Sequence, residues 1–307
     1  MSIEFHGVTK LYGDVIGVND VDLSLSAGAY GLLGPNGSGK STLLNLITGQ
    51  LRPSLGRVEV FGRCPFGSMA ARRELGYCPE SDVLASGMSG LEFVGTLLEL
   101  HGYRRPEARE LAAKTLSELG LGEAMTRSMS TYSRGMRQRA KLAQALAHTP
   151  RLLILDEPLN GLDPVGRHEV SELLRRYCEG GGTMILASHV LHEVQAVTDR
   201  FVLIAGGRVL ASGQVAEIRE LLAEVPHTIE LECSDPRALI QALLAAELLD
   251  GVELLAERSG ARLTTRRPAE LYRRLPGLIV DSGVVVNALS SPDDDLDTLF
   301  EYLIARG

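Results

Sequence analysis

The sequence predicts an α/β protein carrying a second, smaller α/β domain of ferredoxin-like type, and three stretches predict it. A short apolar run, "YGLLG" (30–34), enters a glycine loop, "GPNGSGKST" (34–42), which opens into "LLNLITGQ", whose apolar spacing is helical. Four apolar residues of "RLLILDEPLN" (151–160) lead without a break into Asp156 and Glu157. Beyond Pro226 the pattern changes, and "HTIELEC", "RALIQALLAAELL", "VELLAE", "ARLTTR", "AELYRRL", "GVVVNAL" and "DLDTLFEYLIA" read as β-α-β-β-α-β-α.

At the start of the chain, "IEFHGVTKLYG" and "VIGVNDVDLSLSAG" alternate like half-buried strands, and Gly28 punctuates before the central strand. Strand, glycine loop and helix in that order are the context that G-x-x-x-x-G-K-[ST], here Gly34 to Ser41, requires. Its glycines leave backbone N–H groups free to wrap phosphates at a helix N-terminus. Gly34, Pro35, Asn36, Gly37, Ser38, Gly39, Lys40, Ser41 and Thr42 are therefore expected to hold a nucleoside triphosphate. Lys40 would reach the β- and γ-phosphates and Ser41 would ligate Mg²⁺.

Unpaired buried charge is costly, so the carboxylate pair at the end of an apolar strand needs a cation or a reaction. Asp156 stands where P-loop ATPases deliver a carboxylate to Mg²⁺, directly or through water. Glu157 is then free to orient, or take a proton from, the water that attacks the γ-phosphate.

Composition narrows the field. With 45% hydrophobic and 23% charged residues among 307, the chain suits a soluble globular protein of one large or two modest domains. A net charge of -8 and a pI near 5.5 exclude a global basic field, so no nucleic-acid partner is expected. Cys64, Cys78, Cys178 and Cys233 are scattered without metal-like spacing, and "MSIEFHGVTK" lacks an apolar secretory core, both of which suit reduced thiols in the cytoplasm. The longest apolar stretches fall short of the roughly 20 residues that span a bilayer, so a membrane role would need another chain.

Three further segments identify a family. "YSRGMRQRAKLAQAL" (132–146) opens with a serine and a glycine at a helix start ahead of Asp156, "LNGLD" (159–163) follows it, and "TMILASH" puts His189 just after another apolar strand. In this order, residues 2 to about 220 resemble the ATP-binding-cassette (ABC) ATPases, with these segments similar to the signature motif, the D-loop and the switch histidine. The resemblance implies a mixed sheet core, an antiparallel β subdomain and a helical subdomain at about 81–148, within an ATPase domain spanning 1–223. It implies that Tyr12 stacks on adenine and that two cassettes sandwich two ATP molecules. Ser133 and Gly135 of each would face the phosphate loop of the other, with Asp163 close by.

The signature, Tyr132-Ser133-Arg134-Gly135-Met136, departs from the commonest Leu-Ser-Gly-Gly-Gln and looks like that of bacterial cassettes paired with ABC-2-type export permeases. "LGYCPESD" resembles the Q-loop region but carries Glu80 where glutamine is usual. As a hard-oxygen ligand Glu80 would replace the amide on Mg²⁺; the other reading leaves it in solvent, affecting only the membrane partner. Between Glu80 and Ser133, "GLEFVGTLLELHGY" and "EARELAAKTLSELGLGE" are helical in spacing, and the region doubles as the expected dock for a permease. The accessory domain, 226–307, is read as structural or dimer-supporting packing, with ligand sensing as the alternative.

The expectation is thus an ATP- and Mg²⁺-dependent ATPase subunit of an ABC exporter. It would act as a homodimer, or a dimer with a related cassette, at the inner face of the cell membrane beneath a separate integral membrane permease. Two readings compete: a non-transport cassette of the DNA-repair or translation type, and a nucleotide sensor that does not hydrolyse. Against the first, the chain has neither the long coiled coils of repair members nor the second cassette of translation members. Against the second, it has both Glu157 and His189.

Overall fold

A computed structural model describes residues 3–81, 87–214, 217, 227–255 and 260–291, and the chain divides into two compact units, Met1–Gln214 and Val215–Arg306. The expected helix running to about Ala223 and the expected final helix in "DLDTLFEYLIA" lie outside the described residues.

In the first unit, β1 (Ile3–Tyr12), β2 (Val15–Leu25) and β4 (Leu55–Val60) form an antiparallel sheet in the order β2-β1-β4. Their alternation buries Ile3, Phe5, Val21, Leu23, Val58 and Val60 on one side, the period-2 pattern of a half-buried strand. The central sheet has six strands: β3 (Ala29–Leu33), β5 (Leu75–Cys78), β6 (Leu152–Asp156), β7 (Thr183–Ser188), β8 (Arg200–Ala205) and β9 (Arg208–Gln214). Their order is β5-β6-β7-β3-β8-β9, parallel throughout except for the antiparallel hairpin of β8 and β9. Every residue of β6 and β7 is buried, which explains why these strands read as unbroken apolar runs rather than alternating ones. Parallel neighbours place their C-terminal ends along one edge, where the loops after β3, β5, β6 and β7 meet.

The helices set those loops. α1 (Lys40–Ile47) leaves the glycine loop, and the short α2 (Met69–Arg73) precedes β5. α3 (Gly90–His101) begins in a reciprocal capping box between Ser89 and Glu92, and α4 (Arg105–Glu118) carries Pro106 in its first turn. α5 (Arg134–Leu146) is capped by Ser133, whose hydroxyl accepts from the Met136 N–H, and α6 (Pro164–Glu179) is capped by Asp163. A five-residue helix, α7 (Leu191–Gln195), links β7 to β8.

The second unit runs β10 (His227–Cys233), α8 (Pro236–Ala245), β11 (Gly251–Leu255), β12 (Gly260–Thr265), α9 (Pro268–Ser282) and β13 (Val286–Ser290). Its sheet order is β11-β12-β10-β13 with every pairing antiparallel, a βαββαβ arrangement around a core that includes Ile229, Leu231, Leu239, Leu243, Leu263 and Leu271. Since this unit has a core of its own, Leu231→Ala should destabilise it by about 2–5 kcal/mol and leave nucleotide affinity unchanged. Hydrogen exchange resolved by unit, together with an ATP titration, checks this, and a loss of affinity would show that the second unit supports the first.

Candidate functional site

The loop between β3 and α1 is shaped by close approach. An added Cβ at Gly34 would lie 2.1 Å from the Ile204 carbonyl oxygen, and Gly39 has φ 107 with the Gly17 carbonyl 2.5 Å from where its Cβ would stand. Only glycine meets both conditions. The first turn of α1 contains no acidic side chain, so its free N–H groups and positive dipole end are left for an anion. The Ser38 hydroxyl inside the loop is buried without a hydrogen-bond partner, the kind of orphan that a bound polar group would satisfy. Lys40 folds back so that Nζ donates to the carbonyls of Gly34 (2.6 Å) and Pro35 (3.0 Å).

β7 lies between β3 and β6, yet the loop after β3 reaches across to the end of β6: Ser41 Oγ donates to Asp156 Oδ2 at 3.0 Å. Two of the three residues expected on the metal are thus joined directly. Asp156 is 4% exposed, and burial raises its pKa first of all. The Ser41 hydrogen bond and Lys40 oppose this, while Glu80 and Glu157 add to it. Burial lowers the pKa of Lys40, against the attraction of Glu157, Asp156 and Glu80.

Glu157, 6% exposed, is gripped on one oxygen: Oε1 accepts from the His189 backbone N–H (3.1 Å) and from His189 Nδ1 (2.7 Å). Oε2 has only longer contacts, to the Ser188 hydroxyl (3.3 Å) and the Asn160 amide (3.4 Å). The backbone of Glu157 is left-handed, with φ 50, and is held by its N–H to the Ala187 carbonyl at 2.9 Å. The Gln138 amide on α5 donates to the carbonyls of Pro158 (2.8 Å) and Glu157 (3.4 Å).

An open cleft of about 520 Å³ gathers Asn36, Gly37 and Gly39–Thr42 with Tyr12, Glu80, Asp156, Glu157 and His189. Gly34, Pro35 and Ser38 do not line it; the Ser38 N–H closes a turn on the Pro35 carbonyl at 3.2 Å. Tyr12, 45% exposed, hangs over the cleft with its hydroxyl 3.4 Å from Thr42 Oγ1, and Val15, Ile16 and Gly17 add an apolar rim that motif reading missed. Three carboxylates share this cleft with the Lys40 ammonium, so a polyphosphate would need a cation to accompany it. Hard oxygen donors suit Mg²⁺, which is ordinarily held by one or two carboxylates together with substrate phosphate. Among the described residues no group of three or more His, Cys, Asp or Glu could cage a metal alone.

Ser133, Gly135 and Asp163 do not line the cleft of this single chain. Ser133 Oγ accepts from Met136 N–H (3.2 Å), and Asp163 Oδ1 accepts from Gly166 N–H (2.9 Å). Gly135 faces Gly161, whose carbonyl oxygen would be 3.1 Å from an added Cβ, so the signature and the 159–163 turn stand side by side. Gln138 was invisible as a site residue in the sequence, where it reads as one more polar position of a basic helix; its spacing from Ser133 and Lys141 is the only signal it leaves.

A phosphate loop whose serine is tied to a strand-end aspartate, with a second carboxylate held by a histidine, defines a P-loop nucleotide-binding protein. The family model described as ABC transporter matches residues 18–160. The daunorubicin/doxorubicin resistance ATP-binding protein DrrA of Streptomyces peucetius is 36% identical over 303 residues, covering 97% of this chain and 91% of that protein. The Nod factor export ATP-binding protein I of Rhizobium johnstonii is 37% identical over 246 residues, covering 78% and 77%. Among solved structures, an ATP-binding subunit of an ABC transporter superposes with TM-score 0.67 at 28% identity, covering 72% of this chain and 93% of that one. The dimeric post-hydrolysis cassette MJ0796, bound to ADP and Pi, superposes with TM-score 0.65 at 25% identity, covering 69% and 98%. The chain belongs to the ABC transporter family, as an ATP-binding subunit of exporter-type systems.

The raised pKa of Asp156 fixes the sign of one pH effect. A carboxylate whose folded pKa lies above its unfolded value costs stability once ionised; the cost is full above the folded pKa and absent below the unfolded one. Asp156→Asn should therefore raise the melting temperature of the nucleotide-free protein at neutral pH, by an amount that shrinks as the pH is lowered. Thermal melts over a pH series check this, and a lower melting temperature at pH 7 would contradict it.

Proposed function

We propose that this chain is the ATP-hydrolysing subunit of an exporter, converting closure of a cassette dimer into movement of cargo through a separate integral membrane permease. The observation that supports the reading is the Ser41–Asp156 hydrogen bond beside a Glu157 held by His189, side chains suited to metal handling and water activation at the mouth of one phosphate loop. In this reading Tyr12 stacks on adenine, the N–H groups of residues 34–42 take the phosphates, and Lys40 exchanges its loop carbonyls for the β- and γ-phosphates. Ser41 and Asp156, with Glu80, would hold Mg²⁺, which when bound neutralises charge building on the phosphates. Glu157 takes the proton of the attacking water through Oε2, since Oε1 is engaged by His189.

The site is completed by a second copy or a related cassette, whose Ser133 and Gly135 meet the γ-phosphate, with Asp163 alongside. Their position off the cleft supports this, as does the dimeric state of the similar cassette. Export rather than uptake is supported by relatives named for drug resistance and Nod factor export. No helix among the described residues is long and apolar enough to cross a membrane; the reading therefore assigns the crossing to a separate permease and places this chain at the cytoplasmic face. We assign 1–223 to the cassette, with the helical subdomain about 81–148 as the permease dock, and 226–307 to accessory packing.

Glu157→Gln keeps the shape, and its amide oxygen can still accept from His189, but it loses the base and the acceptor facing Asn160, so Mg²⁺ATP should bind with near-parental affinity, turnover should fall by about 10²-fold or more, and dimer should accumulate in gel filtration. Parental turnover would remove Glu157 from the reaction. Ser133→Arg should be inactive as a homodimer while still binding ATP; full activity would mean that the signature does not meet nucleotide.

A further inference from the structure

Lys141 lies in the middle of α5 and is 1% exposed, although a lysine is rarely buried without compensation. Its ammonium donates to three consecutive carbonyls, those of Pro79 (3.0 Å), Glu80 (2.9 Å) and Ser81 (3.2 Å). Successive carbonyls of an extended chain point in opposite directions, so three converging on one point require a curl that sets like dipoles together. A cation at the focus removes that repulsion. An apolar side chain there would leave carbonyls without a donor, a larger loss than the hydrogen bonds themselves are worth.

The curled segment carries Glu80, whose side chain lines the nucleotide cleft and whose charge is felt by both Lys40 and Asp156. α5 grips the same edge of the sheet at further points. Gln144 donates to the Tyr77 carbonyl, and His148, just beyond the helix, meets the Leu75 carbonyl at 2.9 Å. Gln138, three residues before Lys141 and on the same helix face, holds the carbonyls of Glu157 and Pro158. One helix therefore anchors the backbones of Glu80 and Glu157 and is capped by Ser133.

We propose that Lys141 is a positioning residue of the nucleotide site: its buried ammonium curls residues 79–81 so that the Glu80 carboxylate faces the cleft, and thereby ties Glu80 to the signature helix. The part concerning Glu80 and Mg²⁺ rests on the proposed function; the hold on the loop does not.

The test uses the full-length chain as wild type, Lys141→Met, Glu80→Gln and the double variant. Two readouts are taken: hydrogen exchange over residues 75–81 without nucleotide, and ATP affinity across a Mg²⁺ series. In Lys141→Met, exchange in that segment should rise about tenfold or more while exchange in β7 stays as in the wild type. With Glu80 in the cleft, its charge repels triphosphate unless Mg²⁺ is bound, so wild-type affinity should depend on Mg²⁺ more steeply than that of Glu80→Gln; Lys141→Met should follow the Glu80→Gln curve, with the double variant adding nothing. Lys141→Arg, which keeps the cation, should recover part of both. Unchanged exchange in Lys141→Met overturns the proposal, as do Mg²⁺ effects that simply add in the double variant. If Glu80→Gln itself behaves as wild type, the metal role of Glu80 falls, and the exchange readout still decides whether Lys141 holds the loop. Should Lys141→Met not fold, Lys141→Gln, keeping an amide donor, takes its place with intermediate values expected; wild-type values in it overturn the proposal.

Discussion

Two carboxylates taken out of water at the end of β6 are the constraint on which the site depends. Every residue of that strand is buried, and Asp156 and Glu157 are nearly as inaccessible as the leucines before them. Isolated, such charges would be prohibitive, so each has its own compensation: a serine hydroxyl and the Lys40 charge for Asp156, an imidazole and two backbone or amide donors for Glu157. Adjacent residues of a regular strand point to opposite faces. Both carboxylates open on one cleft because Glu157 leaves the strand at once, in a left-handed conformation. That strain is held by hydrogen bonds from β7 and from α5, so the geometry of the pair belongs to three elements rather than to one loop.

The donors around the phosphate loop are spoken for in a way that leaves the right ones exchangeable. Lys40 is satisfied by carbonyls of its own loop, partners that a triphosphate can replace without leaving a buried charge unpaired. Ser133 shows the same economy: its oxygen accepts from the helix it caps, while the hydroxyl proton remains available to a further acceptor. Asp163 differs, because its role within the chain is to cap α6. Any meeting with nucleotide would have to use its second oxygen, since Oδ1 is committed to Gly166.

Much of this was legible in the sequence because it is written in local patterns. The period of two in β1 and β2, the apolar runs of β6 and β7, and the glycine loop opening α1 each encode burial or φ directly, and motif order carried Ser41, Asp156, Glu157 and His189. The βαββαβ succession of the second unit could be read from alternating periods alone. What escaped was long-range and polar. Gln138 and Lys141 belong to a helix rich in arginine, and such residues default to solvent. Their burial follows from α5 packing on β5 and on the turns after β5 and β6, and no local pattern encodes which loop carbonyls a helix face will meet. The same limit held for Glu80, where the residue is evident but its presence in the cleft depends on how residues 79–81 are curled.

The energetics of the cleft run in one direction. Burial raises the pKa of Asp156 and lowers that of Lys40, so desolvation works against the charged form of both groups. Ser38 adds a buried hydroxyl without a partner, and Glu157 adds backbone strain. A ligand bringing both negative and positive charge would relieve the first three of these together, satisfying Lys40 and Ser38 with phosphate oxygen and the carboxylates with a metal. Binding free energy of that kind goes to whichever conformation lets every partner reach. Because α5 holds the backbones beside Glu80 and Glu157 and is capped by Ser133, the same helix that meets both carboxylate-bearing loops carries the signature serine at its N-terminus.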